Sequence, residues 1–410
     1  MNPLKESANT GPLAGLKVLD LSIIVAGGTA SSLMADFGAE VVKIERPKTG
    51  DPLRNWGPFY KDVSLWWKIH SRNKKSITLD LAKSSGQTLL KQLANEADIL
   101  IEGFRPGTME NWGIGPDELL ASNPELIIVR YSGFGQTGPY KDRPGFGTIA
   151  ECMSGYISMT GFPDSPPVLP PIPLADEIAG IFGVMSSMMA LYNRQIKASS
   201  NHKHTGQVID VSLFEPLFRL CIPHITMAHL LNLVRERVGN DFPDAAPRSL
   251  YQTRDQQWLG LSATSQNTWE NLAEAMGMSE VLNDERFKNN ASRLENKDAL
   301  NEILQQYLGG VDLEDIMENL VPAGGVVGPV YTADQIMNDP HYAAREDIIE
   351  LEDPELGNTK MLGVVPKFSK TPGVINHAGP TIGEHNSDIY ADWLGLSTAD
   401  ISDLESEGTI

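Results

Sequence analysis

The sequence predicts an α/β fold: a large domain on a mostly parallel sheet, with a smaller α+β region late in the chain. Three observations carry this. Short β-branched apolar runs alternate with amphipathic or small-residue stretches through the first half, the rhythm of βαβ units. After Pro216 the pattern turns polar and helical, and beyond about residue 326 apolar runs resume. In order, 16–24 reads as a strand, 29–37 as a short helix and 40–45 as a second strand. Residues 76–81 and 98–102 are further strands, separated by the amphipathic stretch 85–97, and 126–132 is another β-branched run. The stretch 175–195 is one long buried helix, 207–213 a strand, and 258–262 a strand inside the helical region. Apolar runs at 326–330 and 362–368 follow. The expected organisation is a large domain over 1–224, a small domain over 225–330, and a return segment over 331–410 that completes the first.

Composition narrows the partners. Apolar residues make up 41% and charged residues 21%, an ordinary globular balance, and the formal net charge is −20. A field of that sign repels nucleic acid and anionic membrane, so neither is an expected partner. The 2 cysteines, Cys152 and Cys221, supply no disulfide framework and no Cys-x-x-Cys zinc spacing. The beginning of the chain is polar, without an apolar signal core, and a cytoplasmic location is expected. The apolar run 178–192 is broken by Gly180, Gly183, Ser186 and Ser187. It is shorter than the roughly 20 residues a membrane span needs.

Several motifs compete for function. Gly133-Phe134-Gly135-Gln136-Thr137-Gly138 spells G-x-G-x-x-G after a strand, but Pro139 and a turn-rich segment follow where a dinucleotide site needs a helix N-terminus. Glu45, ending the second strand, can mimic a ribose-binding acid, yet the loop after the first strand lacks the matching glycine spacing. Between Lys43 and Lys75 lie nine basic residues against Glu45, Asp51 and Asp62. The bland reading is a solvated basic face, and the functional one is a site for a small polyanion, since Arg and Lys suit phosphates. Trp56, Trp66 and Trp67 stand in the same segment, where they either pack or flank an aromatic ligand. His202-Lys203-His204 reads as a turn, and no metal-ligand set accompanies it. Asp176 opens the long helix. Helix capping is the ordinary role of such an acid. The small and apolar turns that follow bury the helix, and a carboxylate at its inner end can serve as a nucleophile where water is excluded.

Taken together, Gly15-Leu16-Lys17-Val18-Leu19-Asp20-Leu21, Asp36-Phe37-Gly38-Ala39-Glu40-Val41-Val42-Lys43-Ile44-Glu45, Arg72-Asn73-Lys74-Lys75-Ser76, Phe104-Arg105-Pro106-Gly107, Ser132 to Pro139 and Pro380-Thr381-Ile382-Gly383-Glu384-His385 resemble class III CoA transferases, the CaiB/BaiF-like family of formyl-CoA and carnitine CoA-transferases. The resemblance runs from about Gly11 to Leu396. It implies a Rossmann-like large domain, an interlocked homodimer, and no tightly bound cofactor, coenzyme A thioesters and small carboxylic acids being substrates. It places the catalytic aspartate on Asp176 and the CoA contacts on Val25, Ala26, Arg46, Leu79, Phe104 and Arg105, with further contacts at Gly145 and Phe146. Three departures stand out. Asn111 replaces a frequent CoA-binding Arg. Val25 replaces the Gln of formyl-CoA transferases, with no Gly-rich loop at 263–267. Gly147 replaces a frequent acid. The α-methylacyl-CoA racemases share the fold, but their proton-accepting His position falls on Phe146, which cannot accept a proton. A nicotinamide oxidoreductase and a noncatalytic CoA-binding scaffold are the remaining alternatives.

Overall fold

A computed structural model of the chain describes residues 11–199 and 205–410, and the turn expected at 202–204 lies outside the described residues. Six strands form one parallel sheet: β1 (Lys17–Leu21), β2 (Glu40–Glu45), β3 (Lys74–Thr78), β4 (Ile99–Glu102), β5 (Ile127–Ser132) and β6 (Gln207–Ser212). Their order is β3-β2-β1-β4-β5-β6. This is the doubly wound order, which reverses between β1 and β4 and opens a crevice beyond the carboxyl ends of the strands. The helices that bear on the site are α1 (Ala26–Asp36), α2 (Ser84–Glu96), α3 (Gly147–Met153) and α4 (Leu174–Ser199), with α5 (Asn386–Leu394) and α6 (Thr398–Ser406) near the end of the chain.

Both sheet faces are covered, which is why the strands read as nearly continuous apolar runs. On one face Leu19, Val42, Ile77 and Leu100 pack with Leu89, Leu90 and Leu93 of α2 and with Ile389 and Tyr390 of α5. On the other, Val18, Val41, Ile99, Ile101 and Val129 meet Ala30 and Met34 of α1 and Ala175, Ala179 and Ala190 of α4. The outer edge of β3 is closed by the chain end. Asn386 accepts from Thr78 N–H at 2.8 Å and donates to the Thr78 hydroxyl at 2.8 Å, Tyr390 O–H donates to the Thr78 carbonyl at 2.7 Å, and His385 Nδ1 accepts from Ser76 N–H at 3.2 Å. Covering an edge in this way removes a template for strand addition.

The chain divides into two compact units, 1–156 with 170–222 and 341–410, and 157–169 with 223–340. Segment 157–169, read as part of the large domain, therefore groups with the second unit. Nothing in its local pattern signals this, because its partners lie at 223–340. Within that unit an antiparallel sheet of β7 (Arg248–Gln252), β8 (Trp258–Ser262) and β9 (Val327–Pro329) carries Tyr251, Leu259 and Leu261 against Trp269, Leu300, Leu304 and Ile316 from surrounding helices. In the first unit a hairpin of β10 (Ile348–Asp353) and β11 (Gly357–Leu362) replaces the expected strand at 362–368. The strand ends at Leu362 and the chain then bends through Gly363 and the cis Val365–Pro366 peptide.

One helix is longer than its apolar run. The 26 residues of α4 extend the 178–192 stretch at both ends, and by length and composition alone the helix is able to cross a membrane. Its inner face, Ala175, Ala179, Ser187 and Ala190, is buried.

Candidate active site

The loop between β1 and α1 is built on buried charge. Asp20 is fully buried at the carboxyl end of β1. It accepts from Ser22 N–H at 3.0 Å, from the Ser22 and Ser31 hydroxyls at 2.5 Å each, and from Lys74 Nζ at 3.3 Å. Lys43 Nζ lies 3.6 Å from Asp20 and 3.1 Å from Asp51, and donates to the Ser22 carbonyl. Burial works against the Asp20 charge, but Lys43 and Lys74 with the two hydroxyls hold its carboxyl below the ordinary range. Asp51 also accepts from Ile24 N–H at 3.2 Å. Ile24 has φ of 65°, a left-handed conformation costly for a β-branched residue and kept only where the surroundings impose it. The chain then enters α1 at Val25 and Ala26, both buried. Thr29 N–H makes the first intrahelical bond, to Val25 O at 2.7 Å, so the amides of Ala26, Gly27 and Gly28 precede the helical ladder.

A helix feeding a parallel strand begins at the carboxyl end of the sheet, and α4 feeds β6. Its first turn carries Asp176 and Glu177. Glycine at 180 allows α4 to approach α1: a Cβ there would crowd Ala26 O and the Thr29 side chain at 2.7 Å. Thr29 Oγ1 donates to Glu177 at 2.9 Å, and His70 Nε2 lies 3.3 Å from the other Glu177 oxygen. Burial opposes the Glu177 charge, but His70 and Thr29 keep its carboxyl below the usual range.

Asp176 is in a different position. Its carboxylate lies against the Cα of Gly147, so that any side chain at 147 would collide with it. One turn further along α3, the buried Glu151 accepts from Ala175 N–H at 3.3 Å. Asp176 forms no ion pair among the described residues. Burial, then the negative charges of Glu151 and Glu177, push its carboxyl up to about 7, against slight relief from its own backbone N–H. A half-buried carboxyl flanked by acids and without a paired cation among the described residues is chemically suited to nucleophilic work.

A cavity of about 520 Å³ opens at the carboxyl ends of β1 to β4. Leu21, Ile23, Ile44, Leu79, Phe104 and Trp112 give it an apolar lining, and Arg46 stands at its wall. Of the residues assigned to CoA contact, Arg46, Leu79 and Phe104 thus share this cavity, while Val25 and Ala26 form the start of α1. Arg105 is exposed and does not line it. Gly145 packs against Gly133, and Phe146 precedes α3 with 67% of its surface exposed. Asn111 is exposed beside Trp112, whose ring meets Phe104 edge-on at 5.3 Å.

Two readings of the basic segment are corrected. Six of its nine cations are consumed by carboxylates: Lys43 by Asp20 and Asp51, Arg54 by Glu45, Lys68 by Asp353 and Glu355, Arg72 by Asp36, Lys74 by Asp20 and Lys75 by Glu40. Most of those acids lie outside the segment, so a local charge count overstates the free positive charge. Glu45 is no ribose acid, since Arg54, the Ser76 hydroxyl and Asp51 N–H occupy its oxygens. The tryptophans pack as well: Trp67 lies under the Arg54 guanidinium at 3.6 Å and donates to Pro380 O, and Trp66 leans on His70. Trp112, missed in the sequence, is the one lining the cavity. After Gly138 no helix begins until Gly147, so the G-x-G-x-x-G loop does not lead into a helix as a dinucleotide fingerprint does. Residues 263–267 lead into the helix Gln266–Ala275, with Ser265 as its cap. Among the described residues no group of three or more His, Cys, Asp and Glu is placed to hold a metal ion.

The family model for CoA-transferase family III matches residues 13–386. The chain belongs to that family. This CoA-transferase is 41% identical over 400 residues to a succinyl-CoA–D-citramalate CoA-transferase of Chloroflexus aurantiacus, covering 97% of this chain and 98% of the relative. It is 37% identical to the alpha subunit of a succinyl-CoA–L-malate CoA-transferase from the same organism, over 97% and 92% of the two chains. Among solved structures, a CaiB/BaiF family protein from Brucella suis superposes with a TM-score of 0.80 at 29% identity, covering 94% of this transferase and 100% of that chain. The expectation of a transferase on a large parallel sheet therefore holds for this chain.

Proposed function

We propose that this CoA-transferase moves coenzyme A from succinyl-CoA to a small hydroxylated dicarboxylic acid, with Asp176 as the covalent nucleophile. The observation that carries the reading is the placement of the Asp176 carboxyl: in the first turn of α4, against Gly147 and next to the buried Glu151, without an ion pair among the described residues and raised to about 7. Its carboxylate attacks the donor thioester carbonyl; a C–O bond forms as the C–S bond breaks, leaving a mixed anhydride and the CoA thiolate. The thiolate then attacks the aspartyl carbonyl, forming an aspartyl-CoA thioester and releasing succinate. The acceptor carboxylate repeats the two steps in reverse. The free N–H groups of Ala26, Gly27 and Gly28 are the natural donors to the oxyanions. Arg46 would hold a CoA phosphate, and the apolar cavity wall at Leu79, Phe104 and Trp112 would take the adenine.

The choice of acids rests on the two Chloroflexus relatives. Incubating the protein with succinyl-CoA and a library of carboxylic acids, and reading new thioesters by mass spectrometry, tests it. Citramalyl-CoA or malyl-CoA should dominate. Transfer only to monocarboxylates would refute the proposed acceptor class.

We also propose an interlocked homodimer. Ile181, Met185, Met189 and Tyr192 form an exposed apolar stripe along α4, each at least 42% exposed, on the helix whose other face is buried in the fold. Such contiguous surface marks an interaction site.

A further inference from the structure

We propose that Glu151 is a positioning residue for the nucleophile: a buried negative charge fixed beside Asp176, which destabilises the free carboxylate relative to its acylated forms. The inference rests on the assignment of Asp176 as nucleophile and adds to it a residue that never touches the substrate.

Glu151 is only 3% exposed, and no cation pairs with it among the described residues. A buried carboxylate without a cation costs stability. Its hydrogen bond runs to Ala175 N–H, the residue before Asp176 in the first turn of α4. Gly147 lies four residues earlier on α3, and the two positions share one helix face. Gly147 leaves the space that the Asp176 carboxylate fills, and Glu151 anchors the turn that aims it. One face of α3 thus provides both the cradle and the charge.

The remaining groups around Asp176 do not duplicate this. Glu177, on α4 itself, is engaged by Thr29 of α1 and by His70. Tyr131 of β5 points its hydroxyl at Gly180 O, 3.5 Å away. The helix Phe214–Leu220, packed on α3 and α4, carries Glu215, which accepts from the Ser212 hydroxyl, and the exposed Arg219.

The consequence is electrostatic. Repulsion between Glu151 and an ionised Asp176 vanishes when Asp176 becomes an anhydride or a thioester, because both are neutral. The acid thereby makes the carboxylate more basic and favours its acylation. Burial and like charge act in the same direction on Asp176.

The test reads Asp176 without any substrate. The protein is treated over a range of pH with a water-soluble carbodiimide and an amine, which label protonated carboxyls, and the Asp176 peptide is quantified by mass spectrometry. Wild type should show a labelling midpoint near 7. In Glu151→Gln the midpoint should fall by about one unit, and the acidic limb of the transfer rate should move down with it. A wild-type midpoint in the ordinary aspartate range overturns the proposal, and this arm needs no variant to fold. A folded Glu151→Gln protein with an unmoved midpoint overturns it too. A displaced midpoint in a protein that never forms a thioester on Asp176 would instead sink the nucleophile assignment and leave the electrostatic pairing standing.

Discussion

Arg46 and Arg54 stand eight positions apart in one basic segment, and their environments assign them opposite work. Arg54 is locked to Glu45 by two hydrogen bonds of 2.7 Å and covers Trp67, whereas Arg46 is exposed at the cavity wall and forms no ion pair among the described residues. Arg46→Ala should therefore weaken CoA binding by about tenfold to a hundredfold, the loss of one charge-assisted contact worth about 1.5–3 kcal/mol, with the melting temperature unchanged. Calorimetric titration with CoA checks this, and an unaltered affinity moves the phosphate site elsewhere. The family resemblance singled out Arg46, but a local charge count did not show how few cations of the segment are unpaired, because the acids that neutralise Lys68, Arg72 and Lys74 are Asp353, Glu355, Asp36 and Asp20. Asp176 was legible as the acid opening a small-residue helix. Glu151 left only a weak trace, a lone acid between Ala150 and Cys152, and its meaning depends on the packing of α3 against α4.

At the scale of elements, β1, β2, β4 and β5 were legible because they are buried on both faces, and 40–45 and 258–262 match β2 and β8 residue for residue. Helix ends were less so: α1 starts three residues before the predicted position, since Ala26, Gly27 and Gly28 lack an apolar periodicity yet are buried where α4 crosses. The β10–β11 hairpin alternates exposed and half-buried positions, giving little apolar signal. The apolar outer stripe of α4 has its own consequence. If it is a subunit interface, wild type should sediment as a dimer, and the double substitution Met185→Glu with Met189→Lys should shift it to single chains while the secondary structure seen by circular dichroism persists. A wild-type protein that sediments as a single chain would contradict the interlocked arrangement.

For the molecule as a whole, the doubly wound order gathers the ends of β1, β2, β3 and β4 around one cavity and sets the first turns of α1 and α4 side by side. Residues distant in sequence are thereby brought to the same end of the sheet, which periodicity alone does not reveal, and the ordered set of motifs was the feature that pointed to the family. The same design predicts a stability signature. Asp176 has a folded-state value of about 7 against an ordinary 3.8, so the folded state holds its proton more tightly than the unfolded chain. Its contribution to stability is then fully present below pH of about 4 and is lost as the pH rises through 7. The most direct test of the central claim is covalent. Wild-type protein is mixed with succinyl-CoA in the absence of acceptor, quenched with hydroxylamine, digested and examined by mass spectrometry. A hydroxamate should appear on Asp176, and Asp176→Asn should give neither label nor transfer while still binding CoA, since an amide is a poor nucleophile at a carbonyl carbon. A label on another residue, or an Asp176→Asn protein that still transfers CoA, would contradict the account.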